Sequence, residues 1–466
     1  MLNKGVFVTR DYLYTALGII CYIASLVYLA NHIFPNPLLM TISSLLGGCL
    51  LIFAFISITM SNRIIIGILF ITGTFIFIST DVPFIEILNG FGQNLNLLSL
   101  FLLVPLIGTY MSTSGYLSAL KQKVQQAEKR GGEHPYRLSY FLVATIGALL
   151  NFGSLAIVKR IADESFHSFR EKKLTLHMMR AFAFCMLWSP YFVNVALVLV
   201  LFDVSWFDIG GFGFLLALIY GLISIMMFRY ISFSEDPVME VGERKNDVTY
   251  RQSSSFASLL IFSCSFVACS FIFYRLVDIN MLTIVCLLAI GHPLIWAIFS
   301  KMIRPYLHDV ANQVQSSFLR LKNELAVFIT AGYFGLAISY TDLGGIVSTF
   351  IYTVSLGYVY LFTVLIMLIA LLLAQIGIHP IIIVIGIGSS LSPEMFGVSP
   401  EYAALTLLLA WTMATQLSPF SGQMLMAAKL MKAPRSHVIR QNILFIVICF
   451  AVLSSVLFSF HALEWV

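Results

Sequence analysis

Two Ser-Pro steps lie deep in long apolar stretches, at Trp188-Ser189-Pro190-Tyr191 and Leu417-Ser418-Pro419-Phe420. Each follows an earlier break by nearly the same interval: Asn151-Phe152-Gly153 before the first and Gly377-Ile378-His379-Pro380 before the second. An interior proline lacks an N–H and clashes with the preceding turn, so it frees backbone carbonyls that hydrocarbon cannot satisfy. A cation, a ligand or another helix has to satisfy them. The helix that restarts beyond the break exposes N–H groups in a partial positive field, which suits a carboxylate or other anion. Interrupted spans at corresponding places in two halves point to a duplicated module that binds an anion and a coupling cation near the membrane midplane.

The candidate residues follow from the breaks. In the first half, Asn151, Gly153 and Ser154 form a hairpin tip facing Ser189, Pro190 and Asn194. In the second, Gly377, His379 and Pro380 face Thr415, Gln416, Ser418, Ser421, Gly422 and Gln423, a set richer in donors on which substrate specificity is expected to lean. Asn151, Ser189 and Ser418 offer oxygens of the kind a hard cation such as Na+ takes. Ser and Thr in membrane helices also bond to their own backbone, so each taken singly has a plain structural use. His379 has three open roles: carrying a proton, hydrogen bonding to substrate or hairpin, and packing. Arg180 lies early in the span that carries Ser189; it either pairs with an anion or, as expected here, snorkels to the interface. Asp342 and Glu324 are expected near the two surfaces, so no deep carboxylate pair of the proton-pump kind is read.

Hydrophobic residues make up 59% of the 466 and charged residues 11%, and mean hydropathy is +0.93, so an integral membrane protein with many spans and no large soluble domain is expected. The first apolar run, Tyr12 to Phe34, is too long for a cleaved signal and lacks a small-residue cleavage site, so it reads as a helix. Seven cysteines are scattered singly and read as small buried hydrophobes. The sequence has no Walker A loop, HExxH or nucleophile elbow. These absences argue against an ATP-driven pump and an enzyme, and no cofactor is expected. The charge of +5 sits in a few loops, where it sets orientation and does not mark a nucleic-acid partner.

The expected fold is all-α and polytopic, with about eleven crossings and two re-entrant hairpins in inverted-topology repeats. Residues 1–94 are read as scaffold helices. Residues 95–231 form repeat 1, with a hairpin at 138–165 and a broken helix at 177–200. A polar cytoplasmic linker spans 232–255, connecting helices span 256–324, and repeat 2 spans 325–466 with a hairpin at 361–391 and a broken helix at 403–427. Lys121, Lys123, Lys129, Arg130 and Arg137 outnumber Glu128 and Glu133 in one loop, which places it in the cytoplasm by the positive-inside rule. A hairpin over Leu138 to Val158 keeps Lys159, Arg160, Arg170, Lys172 and Lys173 on that same side. The amino terminus is then cytoplasmic, the carboxy terminus outside, and the protein sits in the cell membrane.

At these residues the chain resembles the ion transporter superfamily of divalent anion/sodium symporters, citrate and arsenite carriers, sodium/proton antiporters of one type and membrane subunits of tripartite carboxylate transporters. The likeness covers most of Leu95 to Phe460 by layout and is sharpest at Trp188 to Asn194 and Gly377 to Ala428. The Ser-Asn-Thr tip signature of the divalent-anion symporters is not reproduced; Asn151 stands for one tip Asn, and Ser189 and Ser418 match the broken-helix positions in kind. The resemblance implies a homodimer with a scaffold and a transport domain in each protomer. The function expected is secondary transport of a small carboxylate-like organic anion, coupled to Na+ or H+ by alternating access. A cation/proton antiporter, a subunit that needs a substrate-binding partner protein, and a membrane-embedded enzyme acting on a lipid-linked substrate stay open beside it.

Overall fold

A computed structural model describes residues 2–129, 135–151, 153–166, 168–240 and 255–466. Phe152 at the first tip, Arg130 and Glu133 of the basic loop, and the charged core of the expected linker from Glu243 to Arg251 lie outside the described residues. In chain order the helices are α1 (Leu2–Ile33), α2 (Pro37–Ser57), α3 (Met60–Ser79), α4 (Phe84–Asn89), α5 (Leu95–Leu103), α6 (Pro105–Thr113) and α7 (Tyr116–Lys129). They continue as α8 (Pro135–Leu150), α9 (Gly153–Ser165), α10 (Glu171–Met186), α11 (Val193–Leu201), α12 (Trp206–Met226), α13 (Phe256–Leu276) and α14 (Met281–Phe299). The last are α15 (Ile303–Ser339), α16 (Leu343–Val354), α17 (Val359–Gln375), α18 (Pro380–Gly388), α19 (Pro400–Leu417), α20 (Gly422–Met431) and α21 (Arg435–Ala462). Two three-residue strands, β1 (Ser168–Arg170) and β2 (Val238–Glu240), pair antiparallel. The fold is thus all-α and polytopic. Among the described residues ten helical stretches are long and apolar enough to cross a membrane, or eleven counting α16 and α17, which bend by 114° at their junction, as one span.

Local chemistry explains many of the boundaries. Asn36 caps α2 by accepting from the Leu38 N–H, with Pro37 at the first helical position, where its missing donor costs nothing. Ser205 and Asp208 form a capping box at the start of α12, and Ser399 with Pro400 opens α19. Pro293 sits inside α14 without ending it.

The chain divides into two compact units: Met1–Thr113, Phe266–Val347 and Ile385–Leu391 form one, and Ser114–Ser265, Ser348–Val384 and Ser392–Val466 the other. This division does not follow the segments expected from sequence. Residues 95–113, read as the start of repeat 1, belong with the first unit. The boundary expected at 324/325 falls inside α15, whose 37 residues run unbroken for about 55 Å, well beyond a hydrocarbon core of about 30 Å. The charges from Lys301 to Glu324 look like a loop in sequence. Lys301 lies in the turn before α15, and from Arg304 on these charges are carried by one continuous helix, with Asp309 bonded inward to Thr113 and a carboxylate oxygen of Glu324 buried.

In the first unit, Gln313 of α15 donates to the Tyr22 hydroxyl of α1 at 3.2 Å and accepts from Thr109 of α6. Thr113 donates to Asp309 at 2.6 Å. Farther along α15, the Tyr333 ring stacks on Phe70 and Phe91 at 5.1 and 4.7 Å and meets Phe77 edge-on at 5.0 Å. Geometry of this kind adds about 0.5–1.5 kcal/mol per aromatic pair beyond area burial.

In the second unit, α10 and α19 are buried on nearly every face, as helices in the middle of a bundle are. Leu176 and Met179 of α10, Met424, Ala427 and Met431 of α20 and Val438 of α21 share one core cluster. The arms α8 and α9 pack back against each other across Asn151. At the foot of α9, buried Lys159 pairs with Asp163 and, at 3.1 Å, with Glu171. Glu164 bonds to Lys121 at 2.5 Å and to Arg160 at 3.0 Å. Burial alone would raise the Glu164 carboxyl, but those two hydrogen bonds and charges hold it below its ordinary value. At the start of α10 the Asp236 carboxylate accepts from the Lys172 and Lys173 N–H groups at 2.8 and 3.1 Å, capping that helix from a distant segment.

The antiparallel α8–α9 pair fixes a labelling pattern. Single cysteines at Gln126 and Ser168, placed in a background with the exposed Cys49 and Cys264 changed to Ser, should react with an impermeant maleimide from one and the same side of the membrane. Labelling from opposite sides would mean that 135–165 crosses fully.

Candidate functional site

The first break runs from Leu187 to Phe192, between α10 and α11. Pro190 removes the N–H that would bond the Met186 carbonyl four residues back. The Asn194 amide takes its place, donating to the Met186 oxygen at 2.6 Å. Ser189, wholly buried, donates through Oγ to the Ala148 carbonyl of α8 at 2.9 Å and accepts from the Tyr191 N–H at 3.4 Å. The Trp188 carbonyl accepts from the Trp206 indole at 2.8 Å. Gly213 of α12 faces the Leu187 carbonyl so closely that a Cβ there would overlap the oxygen.

The second break, Ser418 to Ser421 between α19 and α20, is bonded in the same way. Pro419 frees the Thr415 carbonyl, and the Ser421 hydroxyl donates to it at 2.6 Å while also capping α20 by accepting from the Met424 N–H. Ser418 donates to the Ala374 carbonyl of α17 at 2.9 Å and accepts from the Phe420 N–H at 3.3 Å. The Leu417 carbonyl accepts from the Gln375 amide at 2.8 Å. Thr415 shares its own hydroxyl between the Trp411 and Thr412 carbonyls at 3.1 and 2.9 Å. The carbonyls opened by proline are therefore closed by side chains from just beyond each break.

Both serines grip a carbonyl three residues before a turn of positive φ. Asn151 has φ +52°, tolerable for its short polar side chain, and its carbonyl accepts from the Ser154 N–H and hydroxyl at 3.0 and 2.7 Å. Gly153 begins α9. Gly377 has φ +103°, a conformation that favours glycine. His379, half-buried, accepts the Ile381 N–H on Nδ1 at 3.3 Å at the start of α18, so it serves the backbone of its own turn.

The two broken helices are joined by buried amides. Gln416 and Gln423, on either side of the second break, both donate to the Met179 carbonyl of α10, at 3.3 and 2.6 Å. Asn442 of α21 donates to Gln416 Oε1 at 2.9 Å and accepts from Arg180 Nε at 3.0 Å. Arg180 is only 2% exposed and lies 4.0 Å over the Phe445 ring, which corrects the expectation that it snorkels to an interface. It packs within the bundle because α12, α19 and α20 surround this stretch of α10. Sequence reasoning missed the Met179 carbonyl and Asn442. A carbonyl has no sequence signal, and Asn442 follows Arg435, Arg440 and Gln441 in the polar opening turns of α21, just before the apolar run from Ile443.

Removing a closing side chain strands a carbonyl in a dry setting. Asn194→Leu and Ser421→Ala should each lower unfolding stability by about 1–3 kcal/mol, read from thermal unfolding in detergent. Unchanged melting in both would mean that these carbonyls find other partners.

No protein-family description and no curated protein matches this sequence. Among solved structures, the YdaH transporter of Alcanivorax borkumensis, described as having an unusual topology, is similar with a TM-score of 0.57, covering 79% of this chain and 85% of that one at 11% identity. At that identity the likeness is one of fold: the chain is a multi-pass, predominantly helical membrane protein that shares it.

Proposed function

We propose that the protein is a secondary active transporter moving a small carboxylate-like organic anion, coupled to Na+ or H+ by alternating access. The observation that carries this reading is the junction of the two broken helices, where Gln416 and Gln423 of one meet the Met179 carbonyl of the other. Polar groups are rare this deep in spanning helices, and where they cluster they commonly mark a solute pathway. Every candidate residue lies in the second compact unit, to which we assign the carrier role, with the first unit as scaffold.

In this reading Asn151, Gly153, Ser154, Ser189 and Asn194 on one side, and His379, Thr415, Gln416, Ser418, Ser421 and Gln423 on the other, surround the solute. After donating to a carbonyl and accepting one N–H, the Ser189 and Ser418 oxygens each keep a lone pair, which suits them, with Asn151, to a Na+ ion. The like bonding of the two breaks supports an inverted repeat. The positive-inside pattern supports a cytoplasmic amino terminus and an external carboxy terminus in the cell membrane. A homodimer follows from the family resemblance.

Purified protein in proteoliposomes should take up pooled radiolabelled carboxylates when a Na+ or H+ gradient is imposed, and Gln423→Ala should raise KM about tenfold, the worth of one hydrogen bond. Proton movement driven by Na+ alone would favour an antiporter, and uptake only after addition of a soluble binding protein would make the chain a subunit. Silence under every condition would overturn the reading.

A further inference from the structure

We propose that Arg180 supplies the fixed positive charge that binds the carboxylate of the transported anion, an assignment that rests on the transport reading above. A guanidinium removed from water inside a helical bundle is strongly destabilising unless paired, and its usual partner is an aspartate or glutamate. Arg180 has none: no carboxylate lies within ion-pair distance of it among the described residues. The titratable groups facing it are Tyr140 of α8, His177 of its own helix, Tyr220 of α12 and Cys449 of α21. All are neutral in their ordinary forms within a bundle.

What the protein does provide is partial. Asn442 accepts from Nε, and the Phe445 face lies 4.0 Å from the guanidinium carbon. Nη1 is buried with no hydrogen-bond partner. The side chain is thus oriented at one nitrogen and held by a ring, with donor capacity left over for an oxyanion, which planar guanidinium groups bind well. Its position agrees with this use. Arg180 directly follows Met179, the residue whose carbonyl joins the two breaks, and Gln423 of the same junction has a buried Oε1 that also lacks a partner. Asn442 acts as a positioning residue, since it bonds both Arg180 and Gln416.

A structural arginine and a binding arginine differ in what their removal does. An unpaired buried charge opposes folding, so a binding Arg180 is kept at the expense of stability. The test compares wild type with Arg180→Met, Arg180→Gln and Arg180→Lys in proteoliposomes. The probes are radiolabelled succinate, citrate, glutamate and benzoate, with phosphate and taurine as oxyanions of other geometry, and thermal melting of the ligand-free proteins is measured alongside.

The assignment expects Arg180→Met to melt at or above the wild-type temperature, while carboxylate kcat/KM falls roughly thirtyfold or more in Arg180→Met and Arg180→Gln. Arg180→Lys should keep part of the uptake with raised KM and little change in kcat. Three results would overturn it: wild-type kinetics in Arg180→Gln, a much lower melting temperature or loss of folding in Arg180→Met, and wild-type uptake of phosphate or taurine in place of every carboxylate. If wild type moves none of the probes under any gradient, the transport reading fails and this assignment falls with it; if wild type moves carboxylates and Arg180→Gln does so equally well, only the assignment fails.

Discussion

Hydrocarbon offers no partner to a backbone carbonyl, and the second unit is arranged around that constraint. Each of its two central helices is broken by a proline, and each break brings its own closure. Asn194 and Ser421 cap the carbonyls that proline opens, while Ser189 and Ser418 tie the broken strands of chain to the neighbouring helix arms at the same distance of 2.9 Å. The donors differ in kind, an amide in one case and a hydroxyl in the other, yet the bonds fall at equivalent places. Closure of this type lets a helix change direction inside a membrane without a bound ion.

What the sequence reveals follows from how local the cause is. A Ser-Pro step in an apolar run is a local fact, and both breaks fall where those steps lie. The φ of Asn151 and of Gly377 is likewise local, since few residues tolerate the left-handed region. Helix extent is less legible. The charged stretch before Leu325 reads as loop, but Gln313 and Asp309 find partners on α1 and α6, and one continuous helix results. The same applies to Arg180, whose place two helical turns from Lys172 and Lys173 suggests an interface until the surrounding helices are known. The carbonyl of Met179 is beyond any reading of residue types.

The two units are held together internally by different means. The first relies on long helices, an aromatic cluster about Tyr333 and hydroxyl–amide bonds between α1, α6 and α15. The second concentrates its polar groups where α10, α19, α20 and α21 meet, and balances them with methionine-rich packing from Met179, Met424 and Met431. Methionine adapts its shape at little cost, which suits a core next to an irregular backbone.

The amides of Gln416, Gln423 and Asn442 are neutral, so remaking their bonds moves no charge through the membrane. Arg180 is different. One fixed elementary charge carried across the whole membrane field does electrical work of about 2.3 kcal/mol per 100 mV, and a partial passage does a proportionate share. A displacement of the Arg180 guanidinium along the bilayer normal is therefore read by the membrane voltage when it stands alone, and its share of the moved charge cancels when a monoanion rides with it.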